Sequence, residues 1–153
     1  MWLAASAERR CRRAKEGGSP WHLGPGNFDS DDAVDYLSKV IRGFVDAVEQ
    51  LFAQGRASLD DQGEGRLMPT VEMIGLLCDW CRGASAVRVV APPRPGVVRR
   101  WKQRYSEIYD EQIDGLLPSE GFAPERRAHI VRTFDRLELL ATDFWEDDPP
   151  TPS

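Results

Sequence analysis

Cysteine and histidine, which often hold metals or act as nucleophiles and bases, are scarce in this chain. Its 153 residues include only three cysteines and two histidines. A sparse, odd number of cysteines is unlike the disulfide framework of a secreted protein, so reduced thiols are expected. Neither His22 nor His129 stands in a recognisable pairing with a nucleophile. The sequence therefore predicts no catalytic, cofactor-binding or metal-binding residue.

Long apolar runs are also missing. No stretch approaches the roughly 20 consecutive apolar residues that a membrane-spanning helix needs. Residues 1–18 carry their charges directly after a very short apolar start, which is the reverse of the order in a secretory signal. These features predict a cytoplasmic protein with no membrane partner.

Acidic residues outnumber basic ones, and the net charge of −5 is unevenly distributed. Residues 1–18 hold five basic and two acidic side chains, a net charge of +3, so the rest of the chain carries −8. Such an acidic body disfavours nucleic-acid binding, which needs a basic face against the phosphates. It is compatible with a basic protein partner.

Apolar residues recur at intervals of three and four, the pattern of amphipathic helices. This periodicity predicts an all-α fold, an irregular bundle of four main helices with long connectors, at residues 30–54, 70–82, 95–114 and 124–145. The second helix is apolar nearly all round, so we expect it to be central and buried. Residues 19–146 should form one helical domain. The basic extension 1–18 and the acidic, proline-rich tail 147–153 are expected to be peripheral or disordered.

The start of the first helix has several residues suited to a structural role. Asp29 is the predicted N-cap, and Asp32 lies three residues later, where an acid can reach back to the N–H of the cap. Phe28 precedes the cap and is suited to a hydrophobic staple. Trp21 is expected to fold back on the core. The predicted structural residues are therefore Trp21, Phe28, Asp29 and Asp32.

The stretch "PWHLGPGNFDSDDAVDYL" resembles the start of a bacterial family of unknown function, domain-of-unknown-function family 4259. The likeness is carried by Trp21, Gly24, Gly26, Phe28, Asp29, Asp32, Ala33 and Leu37. It is clearest over residues 19–37. Residues 69–85 are more weakly similar to the buried helix of that family. The resemblance implies a bacterial cytoplasmic domain with a related fold, and it implies no catalytic residue.

The sequence Cys78-Asp79-Trp80-Cys81 is a CxxC motif at the C-terminal end of the second predicted helix. A redox motif requires its first cysteine at a helix N-terminus, where the helix dipole lowers the thiol pKa. Zinc would require two further ligands. Core packing is therefore the favoured interpretation. For the aspartates between Asp29 and Asp35, helix capping is favoured over cation binding. An enzyme, metal-dependent or not, that uses both cysteines and this cluster is the alternative.

The third predicted helix has its charges in an unfavourable order. Basic residues come first, and the acids Glu107, Asp110, Glu111 and Asp114 come last, which opposes the helix dipole and places like charges four residues apart. One explanation is that the fourth helix, which has the same order, runs antiparallel and pairs basic end with acidic end. The other is that the acids are kept for a partner, which makes these four the candidate partner-binding residues.

These observations favour a small non-enzymatic protein-binding domain. Its size and acidic body fit an inhibitor or immunity-type protein that acts on a basic bacterial toxin. Besides the enzyme described above, a structural or oligomerising helical module is a further alternative. The oligomeric state is left open.

Overall fold

The computed structural model describes residues 28, 30–55, 57, 59, 63–83, 90–116, 119 and 121–146. It contains four α-helices: α1 (Asp31–Ala53), α2 (Met68–Gly83), α3 (Pro95–Gln112) and α4 (Phe122–Glu146). A π-helical turn, Gly63–Leu67, leads into α2, and a 3-10 turn, Ile113–Leu116, continues α3. The described residues include no strand, so the all-α prediction is confirmed. The expectations for residues 1–18 and 147–153, and for Trp21, concern positions outside the described residues.

Helix α1 begins one residue later than predicted. Its N-cap is Ser30, whose backbone is extended and whose Oγ accepts a hydrogen bond from the N–H of Ala33 at 3.2 Å. The prediction that Asp29 forms the cap is therefore wrong; serine supplies the same kind of short oxygen acceptor one position later. Asp31 and Asp32 occupy the first turn, at the positive end of the helix dipole. Gly55, with φ of 64°, follows the last turn in the left-handed conformation that commonly ends a helix.

The core lies where the apolar faces of the four helices meet. Helix α4 packs against both α2 and α3, and α1 packs against α2. The largest fully buried side chains include Trp101, Tyr105, Tyr109, Phe134 and Leu137. One continuous cluster of buried residues joins all four helices. The apolar residues that recur at intervals of three and four along α3, namely Val98, Trp101, Tyr105, Ile108 and Tyr109, are all buried, as this spacing indicates.

Helix α2 is less buried than expected. Its inner face is covered, and Val71 and Ile74 are fully buried. Met73, Leu76 and Trp80, however, are 45%, 46% and 45% exposed. Their spacing of three and four residues places them on one face of the helix, which we call the α2 apolar row. Helices α1 and α4 cover other faces of α2 but not this one, so the burial expected of this central helix holds for its inner face only.

Candidate functional site

Ion pairs connect α3 to α4 along the whole length of their contact. Arg99 contacts Glu138 at 3.0 Å, and Lys102 contacts Asp135. At the other end of α3, Asp110 receives two hydrogen bonds from Arg127, from Nε and Nη2, both 2.7 Å long. From pair to pair the residue numbers increase along α3 and decrease along α4, so the two helices are antiparallel. We call these three pairs the ion-pair ladder.

The ion-pair ladder explains most of the unusual charge order in α3. The basic first half of α3 faces acids in the second half of α4, and Asp110 near the end of α3 faces a base near the start of α4. This is the pairing of basic end with acidic end that the sequence allowed. All three pairs are partly exposed, so each contributes only about 0.2–1 kcal/mol to stability. Their main effect is on the direction and register of the two helices.

A further set of contacts joins α3 to α1. One carboxylate oxygen of Glu49 accepts a hydrogen bond from Nη2 of Arg100 at 2.9 Å and another from Nε1 of Trp101 at 3.0 Å. The Trp101 ring is buried, with 1% of its surface exposed. Glu49 thus satisfies the one polar atom of a buried indole, as buried tryptophans usually require.

The four acids predicted to bind a partner lie in different environments. Asp110 belongs to the ion-pair ladder, and its hydrogen bonds from Arg127 hold the pKa of its carboxyl below the ordinary value. Glu107 accepts a hydrogen bond from Gln103 at 3.1 Å and lies 3.6 Å from Arg104. Glu111 and Asp114 are exposed and form no ion pair with any residue that the structure describes. Two of the four therefore have no intramolecular explanation in the described chain.

Two large, exposed apolar side chains occur at the same end of the α3–α4 pair as those acids. Leu116, at the end of the 3-10 turn, is 58% exposed, and Phe122, the first residue of α4, is 49% exposed. The hydroxyl of Tyr109 donates to the carbonyl oxygen of Ala123 at 2.9 Å, which holds the start of α4 against the end of α3. We call this surface the acidic corner; its residues are Glu107, Glu111, Asp114, Leu116 and Phe122.

Sequence reasoning identified the acids of this corner and missed its apolar residues. The available signal was that Phe122 ends the turn sequence "PSEGF" and Leu116 lies two residues before it, both outside the apolar stripes of the helices. Large apolar residues at such positions have no core to enter unless another segment covers them.

The two cysteines of the CxxC motif lie in the core. Cys78 and Cys81 are free thiols with 6% and 1% of their surface exposed. Burial, with a smaller effect from the neighbouring Cys81, raises the pKa of Cys78 to about 12, and burial also raises the pKa of Cys81. The thiolate is the reactive and metal-binding form. The environment of both residues therefore favours core packing.

The aspartates of α1 differ from these thiols in their exposure to solvent. Asp31, Asp32 and Asp35 are exposed on the first turns of the helix, whereas the cysteines are buried. Among the described residues, no group of three or more His, Cys, Asp or Glu side chains is arranged to hold a metal ion. Asp29, His22 and Cys11 lie outside that part of the chain.

A groove with a volume of about 160 Å³ lies between α2 and α4. Gly75 and Leu76 line it from α2, together with Glu72, and His129 and Arg132 line it from α4. Its charged groups have opposite signs, and Arg136 on its wall is already bonded to Asp79. His129, for which the sequence indicated no catalytic partner, therefore lies on the wall of a surface groove.

Comparison with models of known protein families finds no match, and searches of curated proteins and of solved structures find none either. The resemblance of residues 19–37 to domain-of-unknown-function family 4259 thus stays a prediction. Within the described ranges, no helix has both the length and the apolar character needed to cross a membrane.

Proposed function

We propose that the protein is a small non-enzymatic protein-binding domain and that the acidic corner binds a basic partner protein. The observation that carries this proposal is the position of Glu111 and Asp114. Both are exposed acids near the C-terminal end of α3, and neither forms an ion pair with a residue of the described chain.

Local stability argues against acids at these positions. A helix C-terminus has partial negative charge, so a nearby carboxylate is unfavourable by about 0.3–1 kcal/mol. Glu107 with Glu111, and Asp110 with Asp114, are also like-charge pairs four residues apart, each unfavourable by a few tenths of a kcal/mol. Arg104 and Arg127 offset this cost at Glu107 and Asp110. Glu111 and Asp114 bear it without an ion pair to any described residue, which is expected of residues that serve binding.

The rest of the acidic corner has the composition of a binding surface. Leu116 and Phe122 provide exposed apolar area at the same end of the helix pair as the acids, and protein interfaces commonly combine an apolar centre with a polar rim. Exposed acids on the rim attract a basic partner and increase its rate of association. The partner that best fits is therefore a protein with a basic surface and an apolar contact at its centre.

An inhibitor or immunity-type role towards a basic toxin is one form of this function and stays a prediction, as do the cytoplasmic location and the bacterial origin. The enzyme alternative receives less support, because Cys78 and Cys81 are buried thiols with raised pKa values. The third alternative, an oligomerising module, is tested by the oligomeric state of the purified chain.

The proposal predicts a trade-off between stability and binding. A photo-crosslinking amino acid at position 116 first identifies the partner in cells of the source organism, and the purified partner is then titrated calorimetrically. The double variant Glu111→Lys/Asp114→Lys should bind the partner at least about tenfold more weakly than wild type. Its free energy of unfolding should be higher than that of wild type by about a few tenths of a kcal/mol.

A matched control makes the same charge change elsewhere. Asp46 on α1 and Glu72 on α2 are exposed acids, and Asp46→Lys/Glu72→Lys should leave the affinity within about twofold of wild type at physiological salt. Wild-type affinity in the corner variant, or equal losses in corner and control variants, would show that the acidic corner is not the binding surface.

A further inference from the structure

The α2 apolar row has no counterpart on the other helices. Met73, Leu76 and Trp80 present three large apolar side chains, each nearly half exposed, on one face. On α4 the exposed large apolar residues are Phe122, at its first position, and Leu139, and the two are 17 residues apart. Single exposed apolar residues are ordinary, whereas a contiguous row indicates a surface that something covers.

One described residue already lies against this row. The ring of Phe28 packs edge-on against the ring of Trp80, with centroids 4.9 Å apart and planes at 74°. Such edge-to-face contact is a favoured arrangement for aromatic pairs. Phe28 is also where the described part of the chain begins, and 27 residues precede it. The preceding segment therefore starts directly beside the α2 apolar row.

We propose that residues 19–27, through Trp21 and Leu23, cover the α2 apolar row. The segment lies outside the described residues, and the argument uses its sequence and its point of attachment. From Trp21 to Phe28 an extended chain spans up to about 24 Å, whereas the row from Met73 to Trp80 is only about 10 Å long. The segment is thus long enough even with the turn that Gly24-Pro25-Gly26 predicts.

The chemistry of the segment matches that of the row. "SPWHLGPGN" contains no charged residue and has two large apolar side chains, Trp21 and Leu23. Burial of these side chains against Met73 and Leu76 removes apolar surface from water on both sides of the contact. The proposal concerns a different face from the acidic corner, so it goes beyond the proposed function and stands or falls independently of it.

A double-mutant cycle in the full-length chain tests the contact. Trp21→Ala and Leu76→Ala are measured alone and together by urea unfolding. If the segment covers the row, each single variant increases the equilibrium constant for unfolding. The increase in the double variant should then be at least about threefold smaller than the product of the two single-variant increases. In the control cycle, Trp21→Ala with Leu139→Ala, the two effects should multiply. Multiplying effects for Trp21 and Leu76 would overturn the proposal.

A second measurement does not depend on changes in stability. A photo-crosslinking amino acid is placed at position 76, and the crosslinked peptides are mapped by mass spectrometry. Intramolecular crosslinks to residues 19–27 support the proposal. Crosslinks to a second copy of the chain, to another protein, or to no peptide of this segment overturn it, and the first of these would make the row an oligomer interface.

Discussion

Asp110 and Arg127 face each other across the antiparallel contact of α3 and α4, joined by two hydrogen bonds of 2.7 Å from one guanidinium to one carboxylate. The two residues lie near the end of one helix and the start of the next, so the pair holds the turn between them. Paired oxygens and nitrogens in this geometry also set orientation more strictly than a single contact does.

This pair predicts a pH-dependent contribution to stability. Arg127 holds the pKa of Asp110 below its ordinary value, so the pair stabilises the folded state above the ordinary aspartate pKa of about 3.9. The contribution is lost as the pH falls through the lower pKa of the folded state. Asp110→Asn should lower the free energy of unfolding by about 0.2–1 kcal/mol at pH 7, and the difference from wild type should shrink in acid. Glu111→Gln is the control and should cause no loss, because Glu111 has no ion pair in the described chain.

Exchange of charges within the ion-pair ladder should be tolerated when both partners change. Arg99→Glu alone places two acids opposite each other and should lower stability by about 0.5–1 kcal/mol. Adding Glu138→Arg restores an attractive pair at the 3.0 Å contact and should recover most of that loss. Chemical denaturation of the four proteins in the cycle measures the coupling. A double variant as unstable as the sum of its singles would show that this pair does not set the helix register.

The two ends of α4 should respond differently to loss of an aromatic ring. Phe134 is fully buried and lies 6.4 Å, centroid to centroid, from Tyr105. Phe134→Ala should therefore lower the free energy of unfolding by about 3–5 kcal/mol. Phe122→Ala removes the same ring from a position that is 49% exposed, and its cost should be below about 1 kcal/mol. Similar costs at both positions would indicate that Phe122 is covered in solution.

The core thiols should be inert in the folded protein. Cys78 and Cys81 are buried and have raised pKa values, so little thiolate is present at pH 8. In a Cys11→Ser background, Ellman's reagent should label neither thiol until urea unfolds the chain, and should then label both. Rapid labelling of the native protein would contradict the core placement and restore the redox or metal-binding interpretation.

The helices and their buried faces were predictable because their signals are local. Periodic apolar residues placed all four helices within two residues of their observed ends, and the α3 stripe around Trp101 and Tyr105 is buried as predicted. The error at the α1 cap shows the limit of such signals. Ser30 and Asp29 are both good cap residues at adjacent positions, and the exact start of the helix decides between them.

The candidate site was only half predictable for a different reason. The charge order of α3 is visible in the sequence, but a list of charges does not show which acids are paired. Only the antiparallel packing of α3 on α4 showed that Asp110 pairs with Arg127, whereas Glu111 and Asp114 are not part of the ion-pair ladder.

The sequence by itself determined the helical class, the approximate helix bounds and the apolar faces, because these depend on residues within one or two turns of each other. Tertiary structure alone decided which charges cancel and which side of α2 the other helices leave uncovered. Both depend on how separate helices pack against one another, and residue spacing within each helix does not encode that packing.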